Sequence, residues 1–469
     1  MKSGVVRVYP LVLFCAILLS SQSQAVTLDE YMQRVKKENK IFRSLTYSIE
    51  SSNERLTAGD IVLVPTLTAA ASLADDASLP SIFGTKREVA EYSLGFSKKF
   101  TTGTSLSLSA KTDQYRSDNA NPPYDQYSNG GLGISLQQSL WKDFFGQSTV
   151  YRKNRETIIN QAETLGVDLK LRGALYDAQS TFWDYAVAQE DLRLKKSNLE
   201  RAKKLENWTS NRVSNGISDR ADLMNVKALA AVREVQLVTA EDEIKTQETK
   251  FREYLSVADG EPTPSIEANL MLAQNYFGDL TKKKNVVQIA TYLSVLDAKT
   301  KKIIADEVTE SLRPDVTLLG SYNTTSYDRD YTQMTSNITR SDRPKTFIGV
   351  SLTWLIDTDA KAAQTSAAAK DALAAQYLSE RNLVLGKNAW SDLLRKYEIT
   401  QQSVKTLEKV ANYQRERAKA EQEKFGKGRT ITANVVTAET DAAEAEVTLL
   451  KAKSGLRKLE ASSILFIAL

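Results

Sequence analysis

Two long stretches of this chain contain no proline, and each is broken once by a glycine turn. Proline is absent from Tyr124 to Glu261 and again from Lys345 onward, so helices far longer than the usual few turns are permitted there. In the first stretch a helical pattern stops at Arg212-Val213-Ser214-Asn215-Gly216. Another opens at Ile217-Ser218-Asp219-Arg220-Ala221-Asp222-Leu223 and runs through Ala228. In the second, Lys424-Phe425-Gly426-Lys427-Gly428 ends one helix, and Arg429-Thr430-Ile431-Thr432-Ala433-Asn434-Val435 begins the next, through Ala438. Each copy places Asp or Asn six residues after the glycine, with an aliphatic residue following. The chain therefore reads as a duplicated helical hairpin.

A continuous helix from Ser148 to Val213 holds 66 residues, on the order of 100 Å at ~1.5 Å per residue, longer than a globular domain is wide. Its seam includes Leu171, Leu175, Ala178, Phe182, Tyr185, Leu192 and Leu199. Trp390, Leu393, Tyr397, Val404, Leu407 and Ala411 keep the same heptad-like rhythm in the second copy, which is packing of coiled-coil type. The returning helices, Asp222 to Leu255 and Asn434 to Leu465, carry many small residues: Ala228, Ala230 and Ala231 in one, Ala438, Ala442, Ala443 and Ala445 in the other. Either close helix approach or helix propensity alone accounts for them.

Composition removes whole classes of chemistry. Lys2 and Arg7 precede the apolar run Leu11 to Leu19, with Ser23-Gln24-Ala25 behind it, the pattern of a Sec signal peptide over 1–25. The single cysteine, Cys15, lies in that leader, and the chain has no histidine. Disulfides, Cys/His metal sites, Ser-His-Asp triads and Cys-His dyads are all excluded. The remaining carboxylates are scattered, so we expect no catalytic, cofactor or metal site and no enzyme. The formal net charge is +4, with two of the cations in the leader and no basic block, which gives nucleic acid no footprint. After the leader no apolar run approaches the roughly 20 residues of a spanning helix. Membrane entry therefore requires a closed β-barrel.

Strands are expected where proline stops the helices. Pro65 and Pro314 open the β-rich runs Leu67 to Leu73 and Val316 to Tyr322, and further candidates are Tyr92 to Phe100, Ser105 to Lys111, Leu132 to Leu140 and Phe347 to Leu355. In Ser105-Leu106-Ser107-Leu108-Ser109 and Ile134-Ser135-Leu136-Gln137 every second residue is apolar. The short turn Thr101-Thr102-Gly103 contrasts with polar loops expected over Asp75 to Glu91, Asp113 to Gly130 and Tyr327 to Arg343. Short turns at one end and long loops at the other suit an outer-membrane barrel.

With these features the chain resembles the TolC-type outer-membrane efflux protein family. The specific residues are the hairpin tips Asn215-Gly216-Ile217 and Lys427-Gly428-Arg429, followed by Asp222-Leu223 and Asn434-Val435. Leu136-Gln137-Gln138-Ser139-Leu140 adds a strand exit, and the likeness starts at Thr27-Leu28-Asp29-Glu30. The resemblance implies an α+β membrane protein, in which a duplicated helix-strand-helical-hairpin unit forms a shared trimeric β-barrel and a long periplasmic α-helical barrel. On that reading 26–260 is the first repeat, with strands about 65–141 and a tip near 216. Residues 261–469 are the second, with strands about 314–356 and a tip near 428. Family members commonly contribute four strands per subunit. The Tyr92 to Lys111 hairpin has no counterpart in the second half, so the expectation is four or six.

The function implied is passive: a homotrimeric exit duct in the outer membrane of a Gram-negative bacterium, within a tripartite efflux or type I secretion system. Its partners would be outer-membrane lipid, a periplasmic adaptor (membrane fusion) protein, and an inner-membrane transporter of RND or ABC type. Asn215, Gly216, Ile217, Lys427, Gly428 and Arg429 would dock the adaptor. The gate candidates are Asp222, Asn434 and Thr437; the last two are neutral where the family places acids. The same residues also have plainer readings: glycines as left-handed helix caps, Asp222 as a first-turn charge favouring the helix dipole, Lys427 and Arg429 as solvated cations. The alternative function is a periplasmic coiled-coil scaffold without a pore, which leaves the amphipathic strands unexplained.

Overall fold

The computed structural model describes residues 26–78, 86–118, 120, 125–258, 260–266, 277, 280–340 and 344–469. The signal peptide expected over 1–25 lies outside them. In chain order the elements are α1 (Leu28–Glu38), α2 (Lys40–Ala58), β1 (Thr66–Asp76), β2 (Lys86–Lys99), β3 (Thr104–Asp118), β4 (Gln126–Ser139), α3 (Gln147–Ser214) and α4 (Arg220–Tyr254). Then follow β5 (Val286–Gln288), α5 (Ile289–Ser311), β6 (Asp315–Asn323), β7 (Ser326–Asp328), α6 (Tyr331–Asn337), β8 (Lys345–Thr353), α7 (Thr358–Gly426), α8 (Thr432–Ser462) and β9 (Phe466–Ala468). Two compact units result. One comprises the described residues within Met1–Arg43, Ala174–Tyr276 and Arg395–Ser463; the other those within Ser44–Gly173, Phe277–Leu394 and Ile464–Leu469.

The second unit carries an antiparallel sheet in the order β1-β2-β3-β4-β6-β8, with β7 pairing β4 beside that path. The register puts apolar side chains in rows: Leu67, Phe96, Leu108, Ile134 and Tyr322 face one another across five strands, as do Ala69, Leu94, Ala110 and Leu132 across four. The opposite face carries Thr66, Ser97, Ser107, Ser135 and Ser321 in a single row. Period-two alternation thus gives one greasy and one hydroxyl-bearing face, as the sequence predicts. Leu67 and Ile348 are 76% and 77% exposed, too apolar a surface to leave in water.

The strands run further than their central alternation suggests. β2 begins at Lys86 and β3 extends to Asp118, so the loops expected over Asp75 to Glu91 and Asp113 to Gly130 are shorter than the sequence implied. Cross-strand polar partners hold these ends: Lys86 lies 2.9 Å from Asp75, and Lys111 lies 3.7 Å from Glu91. The third expected loop, Tyr327 to Arg343, contains part of β7 and all of α6; its residues 341–343 lie outside the described ones. Asp330 caps α6 by accepting from the Thr332 amide at 2.7 Å. Two short strands, β5 and β9, pair in a separate antiparallel ribbon, beside which Trp390 lies 5.3 Å from the Phe466 ring.

In the first unit, Thr27 and Glu30 form a capping box at the start of α1. Tyr31 of α1 stacks on Phe251 of α4 at 4.8 Å and meets Phe182 of α3 at 5.4 Å. The expected seam residues Leu175, Ala178, Phe182, Tyr185 and Leu199 are buried, as are Val404 and Ala411. The backbones of α4 and α8 approach within 8 Å, and Ala230, Ala438, Ala442 and Ala443 are buried. Close approach therefore explains these alanines, whereas Ala228 and Ala231 are exposed. Among the described residues no helix is long and apolar enough to cross a membrane.

Candidate functional site

Both tips close by the same hydrogen-bond pattern. At the first, the Ile217 amide donates to the Arg212 carbonyl at 2.8 Å and the Gly216 amide to that of Val213 at 3.0 Å. At the second, the Arg429 amide donates to Lys424 at 2.8 Å and that of Gly428 to Phe425 at 3.0 Å. These are paired six-to-one and five-to-two bonds, the Schellman closure, which satisfies carbonyls a helix end would leave bare. It requires a left-handed residue, and Gly216 and Gly428 supply it with φ of 71° and 69°. No atom lies within 4 Å of where a Cβ would sit on either glycine. Asn215, Gly216, Ile217, Lys427, Gly428 and Arg429 are all exposed.

One side chain joins the tips. Arg212 donates from Nη1 to the Phe425 carbonyl at 3.1 Å, and its guanidinium lies 4.8 Å from the centre of the Phe425 ring. The same carbonyl thus receives a backbone and a charged donor. Phe425 itself is buried among Ala202, Leu205, Val226, Leu229, Ala230 and Val435, residues of α3, α4 and α8. Both hairpins therefore share one apolar core immediately behind the turns.

The gate candidates occupy the first turns of the returning helices. Asp222 is half-buried and accepts from the Ser218 hydroxyl at 2.7 Å. Asn434 is exposed and donates from Nδ2 to Thr430 Oγ1 at 3.1 Å. Thr430 in turn donates to Glu421, which Lys424 approaches to 2.7 Å. These two donors hold the Glu421 carboxyl below its ordinary value, Lys424 most strongly. Thr437 is exposed and returns its hydroxyl to the Ala433 carbonyl at 3.0 Å. Asp222 and the Asn434–Thr437 pair each bond within their own hairpin.

Further along lie charges that the sequence reading did not single out. The buried carboxylate Glu439 of α8 accepts from Arg201 Nε of α3 at 2.9 Å and from Gln422 of α7. Glu446, one further heptad along, accepts from Arg415 Nε at 2.9 Å and lies 3.8 Å from Arg201. Arg201 thereby ties the first hairpin to two acids of the second. Near the other end of α8, fully buried Glu460 meets Arg457 at 2.7 Å and accepts from the Tyr397 hydroxyl at 3.2 Å. Burial pushes its carboxyl up to about 7, against the opposing pull of Arg457 and Tyr397. The heptad spacing of Glu439, Glu446 and Glu460 was the one sequence signal; it marks a shared helix face but not burial or the arginines that pair with them. Among the described residues no group of three or more His, Cys, Asp or Glu is arranged to hold a metal ion.

No family model and no curated protein matches the sequence. Solved structures do. The Vibrio cholerae outer membrane protein VceC aligns with a TM-score of 0.68 at 14% identity, over 93% of this chain and 94% of that one. The outer-membrane channel OprN aligns with a TM-score of 0.66 at 16% identity, over 93% and 89%. The open state of the Neisseria gonorrhoeae MtrE outer membrane channel aligns with a TM-score of 0.64 at 14% identity, over 93% and 87%. The resemblance carried by the two glycine tips and the strand exits thus holds across the fold, and the chain has the architecture of these outer-membrane channels.

Proposed function

We propose that this chain is one protomer of a homotrimeric exit duct in the outer membrane, acting passively within a tripartite efflux or type I secretion system. The observation that carries the reading is the combination in one chain of a one-sidedly apolar sheet and helical hairpins ending in exposed tips. The likeness to outer-membrane channels supports it. Helix, strands and hairpin recur in 26–260 and 261–469 as a duplicated unit. The strands would share one barrel and the hairpins one periplasmic cylinder. A periplasmic adaptor would dock at Asn215 to Ile217 and Lys427 to Arg429, and an inner-membrane transporter would supply the energy. The scaffold alternative gives no use for a sheet face bearing Leu67, Phe96, Leu108 and Ile134.

The test is fractionation followed by mass determination. We expect the protein in the outer membrane after inner-membrane solubilisation, and a detergent-extracted mass of three chains. A stable monomer, or a freely soluble periplasmic pool, would overturn the reading.

A further inference from the structure

The sheet is open, with β1 at one edge and β8 at the other. An open edge leaves a row of unpaired amides and carbonyls, which hydrocarbon does not tolerate. Successive strands along β1-β2-β3-β4-β6-β8 are all antiparallel, so the two edges run in opposite directions. β8 of one copy therefore meets β1 of a second with the same antiparallel sense as every internal pair, and no parallel seam is needed.

The β2–β3 hairpin belongs to this wall over its full length. β2 pairs β1 from Arg87 to Ser97, and β3 pairs β4 from Thr104 to Arg116. Both faces continue across it: Phe96 and Leu108 join the apolar row, Ser97 and Ser107 the hydroxyl row. Its turn is fixed at the end of the sheet where strands pass into helices. Gly103 has φ of 74°, and a Cβ there would meet the Asp143 carbonyl at 2.9 Å. Lys99 reaches Asp143 at 3.6 Å, and Asp143 accepts the Ser148 amide at 2.8 Å at the start of α3.

We propose that all six strands are barrel wall, so that three copies close an eighteen-stranded barrel through β8–β1 pairing between neighbours. This rests on the trimeric duct reading and fixes its bore. Barrel diameter grows roughly linearly with strand number, so the barrel is about 1.5 times as wide as four strands per copy would give. Barrels of that size leave an aqueous channel rather than a packed core. The serine and threonine row faces that water, and the wall leaves room for hydrated cargo.

Cys15 is the only cysteine, so introduced cysteines after leader removal report cleanly. Pairs joining Leu67, Ala69 or Ala71 of β1 to Ile348, Val350 or Leu352 of β8, each residue→Cys, should oxidise to covalent dimers and trimers in the outer membrane. Ala69→Cys with Leu94→Cys, which are register partners, should bridge within one chain. Ala69→Cys with Leu132→Cys should not react, because those strands are three apart in the sheet, or about 14 Å at ~4.8 Å per strand, beyond disulfide reach. A trimer in which Ala69→Cys bridges Leu132→Cys, or whose density shows twelve strands, overturns the six-strand wall and leaves the duct standing. Absence of any trimer removes the duct itself.

Discussion

Gly216 and Gly428 stand in open space, so what they contribute is backbone conformation and not fit. A Cβ at φ near +70° costs about 1–2 kcal/mol, and β-branching adds to that. Gly428→Val should therefore loosen the second tip and, on the proposed function, weaken adaptor docking while the sheet inserts normally. Crosslinking to the adaptor at wild-type strength together with undiminished export would overturn this. Glu460 makes a second, separate prediction. Its folded pKa of about 7 stands above the ordinary 4.5, so the folded state holds the proton more tightly than the unfolded one. The contribution of Glu460 to stability is greatest below pH 4.5, falls as pH rises through the interval up to about 7, and then levels. The fall is on the order of 3 kcal/mol. The thermal midpoint of the helical signal in detergent should drop from pH 5 to pH 7.5, and Glu460→Gln should flatten that slope; an unchanged slope refutes the assignment. The glycines were legible in sequence because only glycine takes that conformation cheaply. Glu439, Glu446 and Glu460 were not, because an acid on a long helix normally faces water, and only the folded bundle shows Arg201, Arg415 and Arg457 waiting for them.

The elements were legible where the period was strong. The helix expected over Ser148 to Val213 is α3, Gln147–Ser214, because absence of proline and a sustained seam leave nothing to stop it. Strand centres were equally clear, but strand ends were read as loop. Glu88, Asp113, Gln114 and Arg116 are polar, yet each pairs across a neighbouring strand. The β5–β9 ribbon joins segments far apart in sequence, so no local pattern announces it. The passage from β4 into α3 was also hidden: Asp143 and Phe145 have φ of 59° and 46°, conformations that non-glycine side chains rarely adopt. Alternation itself supplies a test of which face meets lipid. Leu108 lies on the apolar face and its neighbour Ser107 on the hydroxyl face. An arginine at the bilayer midplane costs about 2–4 kcal/mol on the lipid side of a barrel. Leu108→Arg should sharply reduce the yield of assembled outer-membrane protein, and Ser107→Arg should leave it near wild type. Equal losses, or the reverse order, would mean that the faces are assigned wrongly.

In the proposed trimer, a threefold axis would turn single residues into rings. Asn434 and Thr437 are exposed on the first turns of α8 and, three residues apart, share one helix face. Three copies of each would meet without the repulsion that clustered carboxylates suffer, and without the oxygen-rich anionic site that a divalent cation seeks. Closure at the tips would then depend on packing, as in the Phe425 core, and on bonds such as Arg212 to the Phe425 carbonyl. Current through the unmodified channel in a planar bilayer should therefore respond little to divalent cations added on the periplasmic side. Combining Asn434→Asp with Thr437→Asp places up to six carboxylates around the axis and should create block at micromolar concentrations. Two results would move the constriction to other residues: block of the unmodified channel at those concentrations, or a double variant whose cation response is the same as the parent's. In either case the exposed neutral pair would be part of the outer surface of the hairpin rather than its gate.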